Sequence, residues 1–245
     1  MRSRRAGSVQ KQLMAPGSIL HRYRDTVLGD KGWLVLALYE LNELFFSPLP
    51  GVVGRSLRSC TAPLLLRKIG AKVGLGTNVA MRRPGQICLG SHVTIGSDVS
   101  MNVKDDGRAI VLADRVEIGR ETILSCIGGE LKLGYNTKVG RRCRLGSKMG
   151  LEIGESCLIG DNTYIVGASH KHDQLDVPII DQEITCKGPS CIGDNVEIGE
   201  NVTILDGVQI GNNARVVQGS LVNQNIDAGV QVAGVPAIPT GNTRK

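Results

Sequence analysis

Between Leu89 and Val222 the chain places an aliphatic residue at every sixth position over long stretches, usually followed by Gly, with a small or branched residue four places after the aliphatic one. Units such as Ile95-Gly-Ser-Asp-Val-Ser, Ile118-Gly-Arg-Glu-Thr-Ile, Ile159-Gly-Asp-Asn-Thr-Tyr and Ile198-Gly-Glu-Asn-Val-Thr repeat the pattern. A helix repeats its apolar face every 3.6 residues and a half-buried strand every second residue, so a sustained period of six fits neither alone. It fits a parallel β-helix whose coil has three flat faces, one hexapeptide to each. The leading aliphatic residue then fills the prism, and the residue four places later points inward near a corner. The Gly after the aliphatic residue, and the Asn beyond it, suit turns with positive φ. The alternative, a twisted β-sandwich with regular turns, does not account for so regular a spacing.

The expected class is therefore an all-β solenoid, a left-handed parallel β-helix of hexapeptide repeats with an N-terminal α-helical segment. Aromatics make up 3% of the chain while Gly numbers 32, a balance that suits a narrow interior lined by Ile, Val and Leu. The seven cysteines are odd in number and scattered, with Cys143 and Cys157 at the inward small-residue position. That favours reduced, buried thiols in a cytosolic protein over a disulfide framework.

The net charge of +6 is unevenly distributed: residues 1–70 hold eleven Lys or Arg against four Asp or Glu. The chain reads as a disordered basic tail over 1–15, an amphipathic helical segment over 16–70, the β-helix over 71–237 and a tail over 238–245. Two helical stretches, about Ile19 to Phe46 and Val52 to Ile69, flank Ser47-Pro-Leu-Pro-Gly. Neither has the ~20 uninterrupted apolar residues that span a bilayer. Two readings stand for residues 19–69: peripheral contact with an anionic membrane, or a cap on the open end of the β-helix. Met1-Arg-Ser-Arg-Arg is not followed at once by an apolar stretch, so no secretory signal is expected and the location reads as cytoplasmic, with the inner membrane face as the peripheral option. Basic residues interleave with leucines rather than with stacking aromatics, which argues against nucleic acid.

The period breaks at 102–110, at 127–131 and, for longest, at 170–191. Insertions at solenoid corners commonly carry function. The last break holds His170 and His172 beside Asp173 and Asp176. A histidine there can take a hydroxyl proton near neutral pH; solvated loop histidines are the plain alternative. His92 lies many coils away, and two histidines two residues apart on an irregular loop make a weak ligand set, so no metal site is expected.

Three segments resemble the hexapeptide-repeat acyltransferases, in particular sugar O-acetyltransferases of the colanic acid, maltose and galactoside type. They are Phe46-Ser-Pro-Leu-Pro-Gly leading into Ile69-Gly-Ala-Lys-Val-Gly, the loop from His170 to Pro178, and Ile192-Gly-Asp-Asn-Val through Gly234-Val-Pro-Ala. The resemblance covers about residues 45–237. It implies a homotrimer with sites at subunit interfaces, acetyl-CoA as acyl donor, and a sugar or glycan acceptor in polysaccharide biosynthesis. The family's histidine stands eight residues before a proline, which selects His170 as general base. Glu200 occupies the position whose main-chain N–H would meet the oxyanion, and Gln218, Gly219, Asn223 and Gln224 fall at the CoA-contacting positions. Arg142, His172 and Asp173 are the acceptor-side candidates. The chain departs from the family at several places. Arg142 stands where an acceptor-holding asparagine is usual, Val217-Gln-Gly-Ser replaces Gly-Ala-Gly-Ser, Asn223-Gln replaces Thr-Lys, and Ile238 replaces a basic residue. Arg grips carboxylate or phosphate bidentately, which points to an anionic acceptor. The competing functional class is a catalytically inactive trimeric scaffold at the membrane surface.

Overall fold

The computed structural model describes residues 18–29 and 31–243, so the 1–15 tail lies outside the described residues. Three columns of inward aliphatic side chains run the length of a triangular prism. The second column stacks Leu75, Ile95, Ile118, Val139, Ile159, Ile198, Val216 and Val232 through seven successive parallel pairings, giving a left-handed β-helix of about seven turns. The first column runs from Ile69 through Leu89, Leu112, Leu133, Ile153 and Ile192 to Ile210. Met81, Met101, Leu124, Leu145, Ile165, Ile204 and Val222 form the third. Each fully buried Leu or Ile contributes about 1.5–3 kcal/mol relative to exposure. The corner residues Val93, Val99, Thr122, Thr137, Cys143, Cys157, Thr163, Val196 and Val202 are also buried. All seven cysteines are free, and burial pushes the Cys126, Cys143 and Cys157 thiols above their usual range.

The three edges of the prism are not alike. From each first-face residue to the next second-face residue, and from there to the third face, the step is always six. The corner between them is turned by the residue three past the aliphatic one, which has φ of 53–60° at Asn78, Asp98, Arg142, Asn162 and Asn201 on the second edge. The glycines that follow the aliphatic residues have a different role from the one their turn chemistry suggests. They are not the positive-φ positions; a Cβ at Gly134 would sit 2.5 Å from the carbonyl of Gly154 on the next coil. Backbone crowds that position, and the small Ala113 stands there on the adjacent coil of the first edge. The third edge absorbs every interruption. Met81 to Leu89 is eight residues, Met101 to Leu112 eleven, Leu124 to Leu133 nine, Leu145 to Ile153 eight and Ile165 to Ile192 twenty-seven; only Ile204 to Ile210 returns to six. Strands Ser100–Leu112 and Ile123–Leu133 run through this edge and pair side by side, which joins the first and third faces into one sheet.

Helices α1 (Ile19–Val27), α2 (Trp33–Leu41) and α3 (Gly51–Leu65) lie against the first coil. The sequence suggests that the last helix runs to Ile69. It ends at Leu65 because Leu66 turns extended and the Arg67 N–H bonds the Ile87 carbonyl, so the first strand, Lys68–Ile69, is already part of the prism. Ala62 and Leu66 belong to the prism core. Arg58 is buried and donates to the carbonyls of Phe46 (2.8 Å), Leu49 (2.7 Å) and Leu75 (3.2 Å), fastening the turn before α3 to the first coil. Residues 238–242, read from sequence as a tail, form a strand antiparallel to Val230–Ala233.

Candidate active site

The long insertion leaves the third face after Ile165 and makes a short antiparallel ribbon of Ser169–His170 with Ile184–Thr185. His170 Nδ1 lies 3.1 Å from the main-chain oxygen of Gln182. A carbonyl only accepts, so Nδ1 is the donor, and in the neutral ring that tautomer leaves the Nε2 lone pair available on an exposed residue. The side chain of Gln182 is buried and holds the loop together, donating to the carbonyls of Gln174 and Val177, both at 2.8 Å. Lys148 Nζ, from the preceding coil, donates to the Ile184 carbonyl, and Lys171 pairs with Glu183 at 3.0 Å. That pairing raises the Lys171 pKa. Pro178 precedes a 3-10 turn, Ile179–Asp181, that sets the return of the loop.

Two groups of candidate residues emerge. His170, His172 and Asp173 sit on the third edge, as do Asn223 and Gln224, which follow Val222 directly; all five are exposed. Arg142, Glu200, Gln218 and Gly219 sit on the second edge. Stacking there is direct, since a Cβ at Gly160 would lie 2.6 Å from the Glu200 nitrogen and one at Gly199 2.5 Å from that of Gln218. Arg142 Nε donates to Asn162 Oδ1 at 2.9 Å. Beside it, the main-chain N–H of Arg141 reaches Asp161 Oδ1 at 2.7 Å, and with the guanidinium it holds the Asp161 carboxyl below the usual range. The Glu200 N–H has no acceptor among the described residues. Within one chain the two groups occupy opposite borders of the third face, and the structure does not bring them together. His92 is an αL corner residue on the first edge, remote from both (φ 60°).

The third face between these borders is the apolar one. Its outward column pairs Ile123, Arg144, Tyr164, Thr203 and Leu221, with the Arg144 guanidinium 5.7 Å from the Tyr164 ring. The second face carries charge instead, with Glu117–Lys138 at 2.9 Å and Glu197–Arg215 at 3.2 Å. No group of His, Cys, Asp and Glu that could hold a metal occurs among the described residues.

Residues 192–224 match the family described as bacterial transferase hexapeptide (six repeats). The match falls on the C-terminal coils of the prism, and the same hexapeptide period runs through the earlier coils. A probable acetyltransferase of Mycobacterium tuberculosis, Rv3034c, is 30% identical to this chain over 113 residues, 46% of this chain and 37% of that protein. The chain therefore spans little more than a third of this curated relative. Among solved structures, AntD, an N-acyltransferase from Bacillus cereus, superposes with a TM-score of 0.54. In complex with dTDP and 3-hydroxybutyryl-CoA it is 18% identical, covering 76% of this chain and 88% of AntD. An AntD variant with dTDP-4-amino-4,6-dideoxyglucose and Coenzyme A is 16% identical, covering 77% and 89%. At this identity the likeness is one of fold. Sequence reasoning missed Gln182 and Lys148 as organisers of the loop; their partners are main-chain carbonyls, which leave no trace in side-chain spacing.

Proposed function

We propose that this protein transfers an acetyl group from acetyl-CoA to a hydroxyl of a sugar or glycan precursor in polysaccharide biosynthesis, with His170 as general base. The observation that carries the reading is the His170–Gln182 hydrogen bond on the irregular edge, in which Nδ1 is the donor and Nε2 of the neutral ring is left as the proton acceptor. Bound acetyl-CoA supplies an activated thioester. His170 takes the acceptor hydroxyl proton as the oxygen attacks the thioester carbonyl, then returns it to the departing CoA sulfur. The Glu200 N–H, free of any acceptor among the described residues, would stabilise the tetrahedral oxyanion by about 3 kcal/mol. AntD, described with CoA and a dTDP amino sugar, and Rv3034c, named an acetyltransferase, support the donor and the acceptor class.

The protein acts as a homotrimer in this reading. Turning the apolar third faces toward a threefold axis sets the second edge of each protomer beside the third-edge loop of the next, so one complete site needs two chains. Arg142 would then face the acceptor, and an anionic sugar is preferred.

The deciding experiment measures thiol release from acetyl-CoA with a panel of neutral, anionic and amino sugars, for the wild type and His170→Ala. Acceptor-dependent release that disappears in the variant is expected. No release and no CoA binding in a well-folded protein would overturn the reading in favour of the scaffold. Equal rates on neutral and anionic acceptors would remove the role of Arg142. Co-expressing His170→Ala with Gln218→Trp tests the shared site: random mixing restores about a quarter of wild-type activity if the edges come from different chains, and none if they come from one.

A further inference from the structure

The N-terminal helices use only one side to cover the first coil. α2 is apolar around its circumference. Leu36 and Tyr39 are buried in a cluster with Leu28 and Leu65 of the neighbouring helices, whereas Leu34 (88% exposed), Leu41, Leu44 and Phe45 recur at helical spacing on the solvent side. The apolar surface continues past the Ser47–Pro50 turn into Val52 and Val53, at 81% and 70% exposed. Of the large hydrophobic side chains exposed among the described residues, about half fall between Ile19 and Leu64. Exposed apolar side chains concentrated in one segment in this way mark an interaction surface.

Carboxylates are withdrawn from it. Glu40 accepts the Tyr23 hydroxyl at 2.7 Å, and Glu43 lines the cavity between the helices and the first coil. Arg55, Arg67 and Lys68 in the same segment are exposed, and in sequence the seventeen residues before it hold Arg2, Arg4, Arg5 and Lys11 with no Asp or Glu. Trp33, at the start of α2, lies under the Arg24 guanidinium at 4.9 Å. Among the described residues no helix is long and apolar enough to cross a membrane.

We propose that this patch binds the surface of an anionic lipid bilayer, its aliphatic and aromatic side chains entering the boundary between headgroups and acyl chains while the flanking Lys and Arg meet the headgroups. Charge selects the bilayer over a second copy of the chain. A self-complementary contact would bring two segments together that each carry eleven Lys or Arg against four Asp or Glu. A surface of opposite sign meets no such repulsion. In the trimer proposed above, three patches would share one end of the assembly and engage one vesicle together. That increment alone rests on the trimer.

The test is sedimentation of the full chain with vesicles of phosphatidylcholine alone and with about 30% phosphatidylglycerol, read independently of any acyl transfer. At least tenfold stronger partitioning onto the anionic vesicles is expected, weakening with salt. The double variant Leu44→Glu/Phe45→Glu should lose tenfold or more of that partitioning, with melting temperature and light-scattering mass unchanged. Val52→Glu/Val53→Glu, at the far end of the patch, should do the same and serves if the first pair fails to fold. No partitioning by the wild type, equal partitioning by wild type and both variants, or equal binding to neutral vesicles would each overturn the proposal. A fall in mass in the variants, without vesicle binding by the wild type, would assign the patch to a second copy.

Discussion

The second edge of the prism turns on one left-handed residue per coil and never changes length, while the step across the third edge ranges from four residues, Val222 to Ile226, to twenty-seven between the same two faces. The regular edge is locked by stacking: an αL corner residue, a glycine pressed on the coil above, and bonds such as Asn78 Nδ2 to Asp98 Oδ1 at 3.1 Å. The irregular edge is free of that constraint, and the histidine loop has grown there. A solenoid can thus keep its core under strict repeat and confine variation to one line along its side, where loops from successive coils lie beside one another.

The sharpest way to break this contrast is at His170. Replacing it by Ala should lower kcat by about 10²–10⁴-fold without moving the melting temperature, because the side chain is exposed and its partner is a loop carbonyl. A large loss of stability instead would make the residue structural.

Next in size is the contrast between edges. Gly134→Val on the first edge drives a side chain into the Gly154 backbone and should cost about 1–3 kcal/mol, lowering the melting temperature by several degrees. Two residues inserted after Asp176, on the third edge, should cost only a few tenths of a kcal/mol. Equal losses at the two sites would abolish the distinction.

Gln182→Leu keeps the carbonyl that accepts from His170 but removes the bonds to Gln174 and Val177. A fall in kcat of about tenfold is expected, with the KM for acetyl-CoA unchanged. A change in KM alone would place Gln182 in binding rather than in positioning the base.

The smallest effect lies in the core that both edges share. Cys126, Cys143 and Cys157 have raised pKa values because burial disfavours the thiolate. Above the unfolded value of ~8.5 the unfolded chain releases protons that the folded one retains, so stability falls as pH rises through that value. Cys157→Ala, which places there the residue found at the equivalent Ala214 corner of the first edge, should flatten this alkaline decline in denaturant titrations at pH 7, 9 and 10. An unchanged slope would show that the thiol titrates alike in both states.

The prism was legible because its interior obeys a period that side-chain chemistry writes directly: Ile95, Ile118 and Ile159 each announce a face. Its edges were legible only in part. The asparagines were read as turn residues, and Asn78, Asn162 and Asn201 do hold positive φ. The glycines were given the same role, although theirs is close approach between coils twenty or so residues apart, a relation that a local reading does not contain. Arg142 and His170 stand out as residue types, yet their placement on opposite borders of one face follows from coil register. α2 reads simply as apolar, since Leu34 and Leu36 are chemically alike and only packing against the neighbouring helices decides which of them meets solvent.

The column of coils also sets a ruler for the chemistry. Successive strands on a face are spaced by ~4.8 Å, so the height of the loop that carries His170 above or below the corners at Glu200 and Gln218 is fixed in whole steps of the stack. Gain or loss of a complete coil between them would slide one half of the site past the other by a full step, too far for any side-chain rotation to recover. Length changes in the third-edge loop leave that spacing untouched, because the strands on either side of the loop keep their register: Ile153 pairs with Ile192 and Ile165 with Ile204 across the whole insertion.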